Sequence, residues 1–256
     1  MKKEMMQQNA KKNEVIALNR KRLLNNDTPF AIREAYVKLR TGLMFCMTAD
    51  KERPCTSFAV TSAKPSEGKS LTAANIAISY AMLGKKVLLI DADMRKPTQR
   101  RLWRVEKPTG LCDFLAKISK LELDKVKDLP LWIVCTGTIP PNPSELLSSE
   151  RMKHFVEESA KVYDYIIIDT PPINTVADAQ IVSTYVDGVV LVVKSGDTTQ
   201  DELNEAIDAV RRAGGNLCGT VLNDLNMKSV KYSYKYKYGD KYGYKYGYSD
   251  AYETHK

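Results

Sequence analysis

Residues 57–70 read SFAVTSAKPSEGKS: five residues suited to a buried β-strand, followed by a nine-residue loop that ends in Gly-Lys-Ser. An apolar pattern of helical period, Ser70–Met82, follows directly. A strand, a glycine-containing loop and a helix in this order place backbone amides at a helix N-terminus, where they bind phosphate. The sequence therefore predicts a phosphate-binding loop between a strand and a helix.

This loop matches the G-x-x-x-x-G-K-[ST] pattern of P-loops, except that Ala63 stands in place of the first glycine. We expect Gly68 to let the backbone approach the phosphates, and Lys69 to contact the β- and γ-phosphates. The Ser70 hydroxyl is a candidate Mg²⁺ ligand. The predicted nucleotide-binding residues of the loop are Ser66, Glu67, Gly68, Lys69, Ser70 and Leu71.

Similar apolar runs recur along the chain, and helical patterns separate them. Continuous runs of this length are typical of strands buried on both faces, and their alternation with crossover helices predicts a parallel sheet. We therefore expect an α/β fold with a doubly wound, mostly parallel sheet that binds ligands at the carboxyl ends of its strands. The predicted strands are Ser57–Thr61, Lys86–Asp91, Leu131–Cys135, Tyr163–Asp169, Gly188–Val193 and Cys218–Asn223, and the predicted helices are Ser70–Met82, Ser149–Lys161, Val176–Val182 and Thr199–Ala213.

Acidic residues end two of these predicted strands. Asp91 and Asp93 lie two residues apart, so they project to the same side if the strand continues. Such a pair beside a triphosphate can hold hydrated Mg²⁺ and accept a proton from a hydroxyl. Arg95 and Lys96 could neutralise charge that develops on the reacting phosphate. Asp169 closes a buried isoleucine strand, which is costly unless a cation or hydrogen-bond donors compensate its charge. We therefore predict Asp91 and Asp169, together with Ser70, as Mg²⁺ ligands.

Composition limits the class of protein. The 256 residues are 43% hydrophobic and 27% charged, enough apolar material for a buried core. No apolar run approaches the ~18 residues of a membrane-spanning helix, and the basic N-terminus lacks the apolar stretch of a secretory signal. The five cysteines are scattered without a C-x-x-C pair, which argues against a disulfide framework or a zinc site. We therefore expect a cytoplasmic protein.

Positive charge and tyrosine are concentrated at the ends of the chain. The net charge is +8, to which residues 1–22 contribute +5 and residues 227–256 contribute +4. Nine of the 14 tyrosines lie in the last 25 residues, which have too little aliphatic surface to fold. We predict a basic N-terminal segment at 1–26, a folded domain at 27–226 and a disordered tail at 227–256. The tail tyrosines are Tyr232, Tyr234, Tyr236, Tyr238, Tyr242, Tyr244, Tyr246, Tyr248 and Tyr252.

The P-loop, the hydrophobic-D-x-D-x-R strand and the hydrophobic-D-x-P strand together resemble those of the bacterial tyrosine kinases (BY-kinases) of capsule and exopolysaccharide synthesis. These kinases are relatives of the Min/Par partitioning ATPases. The resemblance covers most of the chain, including the helix Glu34–Arg40 (EAYVKLR), the segment Pro140–Leu147 (PPNPSELL) and the tyrosine-rich tail. It implies a P-loop NTPase fold, ATP and Mg²⁺ as cofactors, and transfer of phosphate to protein tyrosines.

The resemblance also implies a role for each motif. Lys69 and Ser70 bind ATP with Mg²⁺, whereas Asp91 and Asp93 act on the acceptor tyrosine and the metal. Asp169 supports the metal. The nine tail tyrosines become the autophosphorylation sites.

Partners follow from the same resemblance. They are protein substrates, a cognate tyrosine phosphatase, and a membrane-bound polysaccharide co-polymerase whose cytoplasmic tail activates the kinase and recruits it to the inner face of the membrane. A homo-oligomer is also implied, assembled through the helix that carries Glu34 and Arg40. The family's helix reads E-x-x-R-x-x-R, but Val37 replaces its middle arginine here, so the subunit number is left open.

One further position differs from the family pattern, and two others each have two possible interpretations. Leu71 stands where the family often has a second Ser/Thr, so Ser70 would ligate the metal alone. Lys64 matches the signature lysine with which Min/Par ATPases reach a partner subunit's nucleotide, or it is a solvated loop lysine. Asn223 matches a base-recognition position of those relatives, or it is a turn asparagine.

Rival functions belong to other classes. A Min/Par-like positioning ATPase would hydrolyse ATP without phosphorylating protein. Lysines between tyrosines could bind single-stranded nucleic acid or an anionic membrane, although nucleic acid is not the partner that we expect. A basic cluster is open to three interpretations: a subunit contact, a phosphate clamp or a solvated helix face. Its members are Arg95, Lys96, Arg100, Arg101 and Arg104.

Overall fold

The structure is a computed structural model that describes residue 14, residues 17–46 and residues 55–225. A short helical segment at residues 17–21 precedes the labelled helices. The strands are β1 (Thr56–Ser62), β2 (Val87–Asp91), β3 (Asp124–Lys125), β4 (Leu131–Val134), β5 (Tyr165–Asp169), β6 (Gly188–Lys194) and β7 (Leu217–Asn223). The helices are α1 (Phe30–Cys46), α2 (Lys69–Ala81), α3 (Gln99–Trp103), α4 (Leu111–Leu115), α5 (Pro143–Ser148), α6 (Glu150–Ala160), α7 (Asp178–Ser183) and α8 (Gln200–Arg212).

The strands form one sheet in the order β3-β4-β2-β5-β1-β6-β7, in which only the β3–β4 pair is antiparallel. The predicted doubly wound, mostly parallel sheet is therefore confirmed. Its register places Asp91 directly beside Asp169, and Asp169 beside Val60 of β1. Because the P-loop follows β1, all three loops that the sequence singled out leave the same edge of the sheet.

Both faces of the sheet are covered, because successive strand residues point to opposite sides. On one face Phe58, Leu89 and Ile167 pack in a cluster with α2 and the buried Leu43 of α1. On the other face the intervening residues pack against helices α4 to α8, and this cluster includes Ala59, Leu88, Ile90, Ile166, Ile168, Leu111, Leu147, Phe155, Val182 and Ala206. Strands that are buried on both sides explain why the sequence shows continuous apolar runs rather than alternation.

The six strands and four helices predicted from apolar patterns are present, with ends that differ by at most two residues. The helix Glu34–Arg40, implied by the family resemblance, is also present but spans Phe30–Cys46. The elements that the sequence did not predict are short. β3 contains only Asp124 and Lys125 and has no apolar run, while α3, α4 and α5 contain five or six residues each. Helices of this length complete too few turns to produce a recognisable periodicity.

Helix α1 carries the two predicted oligomerisation residues. Arg40 Nη1 donates to the Ser79 carbonyl oxygen at 2.7 Å and lies 3.1 Å from Ser79 Oγ, so Arg40 fixes α1 against α2 of the same chain. Glu34 is half-buried on the same helix. Assembly of an oligomer through these residues stays a prediction.

Several predictions concern residues that the structure does not describe. The nine tail tyrosines lie outside the described residues, as does most of the predicted N-terminal segment. The compact fold extends to Asn223, and the domain limits at 27 and 226 stay predictions. Within the described ranges, no helix combines the length and hydropathy that crossing a membrane requires.

Candidate active site

The predicted phosphate-binding loop connects β1 to α2. Gly68 has a φ of 88°, in the left-handed region, and its carbonyl accepts a hydrogen bond from Thr72 N at 2.9 Å. A Cβ at this position would lie 2.1 Å from Asn223 Nδ2, so both the backbone and the available space require glycine. Asn223 Nδ2 donates to the Glu67 carbonyl oxygen at 2.9 Å. The end of β7 therefore contacts the loop, and the predicted base-recognition residue lies at the site.

A buried carboxylate fixes the shape of this loop. Glu67 is only 1% exposed, and its Oε2 accepts a hydrogen bond from Lys64 N at 2.9 Å. Its Oε1 accepts from Lys194 N at 3.4 Å and from the Thr198 hydroxyl. Ser66, also predicted in this loop, is exposed and has a φ of 69°. The Glu67 side chain thus ties the loop to the end of β6 instead of facing a nucleotide.

Lys69, the first residue of α2, lies among the acidic loops. Its Nζ is 2.8 Å from Asp93 Oδ2 and 3.8 Å from Asp169 Oδ1. Burial lowers the pKa of Lys69, but the negative charges of Asp169 and Asp93 outweigh burial, and the pKa is raised. The lysine is therefore a permanent cation at neutral pH. The P-loop and both acidic loops meet around it, as the sequence predicted.

Hydrogen bonds from residues that follow β2 fix the positions of Asp91 and Asp169. Asp91 Oδ2 accepts hydrogen bonds from Thr98 N at 3.1 Å and from Gln99 N at 2.9 Å. The Gln99 side chain donates to the Ser70 carbonyl oxygen at 2.9 Å and to Asp169 Oδ2 at 2.8 Å. Gln99 thereby connects all three predicted loops. Sequence reasoning missed it, because a glutamine eight residues after Asp91 belongs to no motif and begins the unpredicted helix α3.

Two carboxylate oxygens at this site lack a hydrogen-bond donor. Asp91 Oδ1 and Asp169 Oδ1 are buried and accept no hydrogen bond, and their residues are neighbours in the sheet. Lys69 Nζ lies 3.8 Å from Asp169 Oδ1, within ion-pair distance but beyond a hydrogen bond. Burial raises the pKa of both carboxyl groups, and the charge of Asp169 adds to the rise at Asp91. Carboxylate oxygens that accept no hydrogen bond, together with the Ser70 hydroxyl, are the hard oxygen donors that Mg²⁺ prefers. The residues present therefore fit the predicted metal, which would take further ligands from phosphate and water.

Arg95 lies at the edge of this site but is bound elsewhere. Its Nε lies 2.9 Å from Asp178 Oδ2, and its Nη2 lies 3.1 Å from Ser144 Oγ. Ser144 Oγ in turn donates to Asp178 Oδ1 at 2.6 Å. These contacts join the loop after β2 to the starts of α5 and α7. No sequence motif marks Asp178, because its contact with Arg95 arises only from the packing of α7.

Lys64, for which the sequence left two interpretations, contacts helix α8 of its own chain. Its Nζ lies 3.1 Å from Glu202 Oε2 and 2.9 Å from the Asp197 carbonyl oxygen. Glu202 also accepts a hydrogen bond from Thr199 N at 2.8 Å, within the capping box that begins α8. The loop thus rests on α8 as well as on β6 and β7.

Comparisons with known proteins agree with this geometry. The AAA domain family matches residues 56–216. "Tyrosine-protein kinase YwqD" of Bacillus subtilis is 42% identical over 223 residues, covering 86% of this chain and 90% of that protein. The solved kinase domain of Escherichia coli tyrosine kinase ETK is 32% identical with a TM-score of 0.74, covering 87% of this chain and 83% of that one.

A second fold relative comes from cell division. The MinD cell division protein of Aquifex aeolicus is 26% identical with a TM-score of 0.57, covering 70% of this chain and 73% of that one. Its lower similarity indicates a shared fold, whereas the kinases match over more of the chain and at higher identity. The chain therefore belongs to the bacterial tyrosine-protein kinases, whose domain is related in fold to MinD.

Proposed function

We propose that this chain is an ATP-dependent protein-tyrosine kinase that first phosphorylates the tyrosines of its own tail. The observation that carries the proposal is the convergence of Lys69 with Asp93 and Asp169 at the start of α2. A buried lysine beside carboxylates with unpartnered oxygens suits a triphosphate bound with Mg²⁺. The relatives named as tyrosine-protein kinases support tyrosine as the acceptor.

The triphosphate would be held mainly by backbone. The N–H groups of Lys69, Ser70 and Leu71 open α2 and have no acceptor within the helix, so they are available to phosphate oxygens. This accounts for a leucine among the predicted nucleotide-binding residues, because its amide rather than its side chain is used. Lys69 would exchange part of its contact with Asp93 for the β- and γ-phosphates, and Asn223 is close enough to the loop to contact the base.

Magnesium would be held by the Ser70 hydroxyl and by the free oxygens of Asp91 and Asp169. When bound, it neutralises negative charge on the phosphate oxygens. Gln99 keeps Asp169 oriented, and the amides of the loop after β2 keep Asp91 oriented. These contacts leave one oxygen of each carboxylate for the metal.

Asp93 is our candidate for the proton acceptor in phosphoryl transfer. The phenol oxygen of a tyrosine attacks the γ-phosphorus and forms a new P–O bond while its proton passes to the Asp93 carboxylate. The bond from the γ-phosphorus to the bridging oxygen breaks, and ADP leaves with the bonding electrons. Lys69 stabilises the charge on the transferred group. For Arg95 to help, as predicted, its guanidinium would have to leave Asp178.

The cellular setting extends the same proposal. We expect a homo-oligomer that acts on the cytoplasmic side of the membrane, where the cytoplasmic tail of a membrane-bound polysaccharide co-polymerase activates it. A cognate phosphatase would reverse the modification, and other protein substrates would link the kinase to capsular or exopolysaccharide synthesis. Acceptor tyrosines on the same chain suit repeated transfer, because tethering raises their effective concentration to roughly millimolar.

The test is incubation of the full chain with γ-labelled ATP and Mg²⁺, with and without the activator's cytoplasmic segment. We expect label on tyrosine in the wild-type chain and little label in Lys69→Met. A chain without residues 227–256 should still phosphorylate an added tail peptide, because only the acceptor has been removed. Absence of label in wild-type protein with the activator present would overturn the proposal.

The same experiment separates the kinase from a Min/Par-like positioning ATPase. That alternative is supported by the fold shared with MinD and requires ATP hydrolysis without labelled protein. Measuring released phosphate beside labelled tail therefore distinguishes the two functions in one reaction.

A further inference from the structure

A cavity of about 680 Å³ lies beside the candidate active site. Its walls include six cationic side chains, of which Arg95 is paired with Asp178. The other five, which we call the basic groove, are Arg20, Lys96, Arg100, Arg101 and Arg104. One acidic residue, Glu106, also lines the cavity, and Pro97, Val105 and Ile139 supply apolar surface. The groove adjoins the active site directly, because Lys96 N donates to Asp93 Oδ1 at 2.9 Å.

Three of the five cations of the basic groove are held by hydrogen bonds to backbone carbonyls, without being neutralised. Arg20 Nε donates to the Arg101 carbonyl oxygen at 2.9 Å, and Arg101 Nη2 donates to the Pro97 carbonyl oxygen at 3.0 Å. Arg100 Nη2 donates to the Glu106 carbonyl oxygen at 3.0 Å.

All of these acceptors are neutral. None of the five side chains forms an ion pair with a carboxylate of the residues that the structure describes. The groove is therefore a cluster of positive charge that lacks an anion among the described residues, and three of its side chains are fixed by backbone carbonyls. Arg95, which also lines the cavity, differs because the buried Asp178 neutralises it.

We propose that the basic groove binds the tail segment 239–250, GDKYGYKYGYSD, in its tyrosine-phosphorylated form. The proposal rests on the proposed kinase function, which would supply the modified tyrosines. Segment 239–250 has four tyrosines and a net charge of zero before modification. Each phosphate adds about −1.5 to −2, so four would give about −6 to −8.

The other half of the tail is a poorer match. Residues 228–238 also contain four tyrosines but carry four lysines and no acidic residue. The lysines offset much of the charge that phosphorylation adds and are repelled by the groove. Charge complementarity therefore selects segment 239–250, and selects it only after phosphorylation.

The shape of the groove suits phosphotyrosine rather than free phosphate. Arginine binds phosphate through a planar fork of donors, and several such forks line this cavity. Tyrosines at alternate positions of an extended strand lie about 6.6–6.8 Å apart on one side, so two phosphates can reach separate cations. The apolar surfaces of Pro97, Val105 and Ile139 can contact the rings. The groove would thus keep the modified segment beside the site that modifies its remaining tyrosines.

Binding can be measured by fluorescence anisotropy with the full chain, treated with a tyrosine phosphatase and kept free of ATP. The probe is a labelled peptide of residues 239–250 phosphorylated at Tyr244 and Tyr246. We expect it to bind at least about tenfold more tightly than the unmodified peptide and to weaken as salt is raised. Equal binding of the two peptides would overturn the proposal.

Variants place the interaction in the groove. Arg101→Gln with Arg104→Gln should weaken binding of the phosphopeptide at least about tenfold, and the double change to lysine should restore part of it. The matched control is Arg211→Gln with Arg212→Gln in the last turn of α8, which should bind as wild type. Thermal unfolding of each variant verifies the fold. Undiminished binding by the Arg101/Arg104 variant would refute the assignment, and so would tighter groove binding by a single-stranded oligonucleotide.

Failure of this proposal and failure of the kinase proposal are distinguishable, because the synthetic phosphopeptide needs no kinase activity. Label on the tail without phosphopeptide binding would remove the groove but retain the kinase. Peptide binding without any transfer of label would overturn the kinase function and retain an anion-binding groove.

Discussion

The loop after β2 separates two neighbouring regions with opposite electrostatic imbalance. In the candidate active site, Lys69 faces Asp93 and Asp169, and two buried carboxylate oxygens have no donor. In the basic groove, cationic side chains meet only neutral carbonyl oxygens where they are bonded at all. The active site has more carboxylates than cations and the basic groove has more cations than carboxylates, although the same short loop supports both.

This difference indicates that the two regions were not arranged for stability alone. A protein of this size could satisfy the aspartates with one more donor, or place acidic side chains among the arginines. Both charge imbalances lower the free energy of unfolding. A ligand that binds only the folded state stabilises it, so binding of a cation or an anion can offset this loss. The following variants alter one region and leave the other intact.

The largest expected effect is that of Asp93→Asn in the active site. Removing the proposed proton acceptor should lower the rate of tail labelling by about 10²–10⁴-fold. Affinity for ATP should change only a few-fold, because the loop amides remain. Asp208→Asn, which removes an acid paired with Arg211 on α8, is the matched control and should retain wild-type activity. A labelling rate near that of wild type in Asp93→Asn would contradict the assignment.

The next largest effect is expected from a substitution at Gly68, which tests the packing of the phosphate-binding loop. Gly68→Ala combines an unfavourable φ with a Cβ that meets Asn223 Nδ2, so affinity for ATP should fall by about 5- to 150-fold, as strain of about 1–3 kcal/mol implies. Gly214→Ala is the control, because it has a φ of 77° but nothing within 4 Å of its Cβ. It should lower stability by about 1 kcal/mol and leave binding of a fluorescent ATP analogue unchanged. Equal nucleotide affinity in both variants would show that the loop tolerates a side chain.

A smaller effect concerns stability in metal-free protein. Burial and Asp169 raise the pKa of Asp91, so ionisation of this carboxyl group disfavours the folded state. The free energy of unfolding should therefore decrease as pH rises from the ordinary carboxylate range toward neutrality. Asp91→Asn should remove this dependence and stabilise the protein by about 1–3 kcal/mol at neutral pH while abolishing activity.

Asp113→Asn should change the free energy of unfolding in the opposite direction. Burial raises the pKa of Asp113, but hydrogen bonds from Thr138 and Gly110 outweigh burial and lower it. This carboxylate therefore stabilises the fold above its usual pKa, and the stabilisation is lost as pH falls. Urea unfolding from pH 5 to 8 should show destabilisation by Asp113→Asn and stabilisation by Asp91→Asn. The same sign for both would exclude the proposed charge imbalance.

The smallest effect should come from Lys64→Ala. Its contact with Glu202 is only partly buried, and ion pairs that remain in contact with solvent contribute little to stability. We expect no measurable change in the unfolding midpoint and less than about threefold change in ATP affinity. Glu158→Ala, which breaks another exposed lysine pair on α6, is a suitable comparison. A large loss of activity that grows with protein concentration would instead favour the role across a subunit interface.

The sheet and the meeting of the three loops could be predicted from sequence, because their determinants are local. Continuous apolar runs identified the strands, and parallel strands bring their carboxyl ends to one edge. That rule alone placed Asp91 and Asp169 near the P-loop, and the register confirms that the two are neighbours.

The contacts that complete the site depend on packing that no local pattern records. Gln99 reaches two loops from a helix of five residues, and Arg95 binds Asp178, which is 83 residues away in the chain. The basic cluster was identified from the sequence, but the sequence could not decide among its three interpretations. Whether an arginine is neutralised depends on whether its acceptor is a carboxylate or a carbonyl, and only the folded chain decides that.

The position of Asn223 links the phosphate-binding loop to the least protected part of the sheet. It is the last residue of β7, an edge strand in which no residue is buried, and it bonds to Glu67. Edge strands open locally at lower free energy than central ones, and each such opening would release the loop. The rate of amide hydrogen exchange in the phosphate-binding loop should therefore follow the rate in β7. Local opening of this one strand would then limit how long the nucleotide site stays assembled.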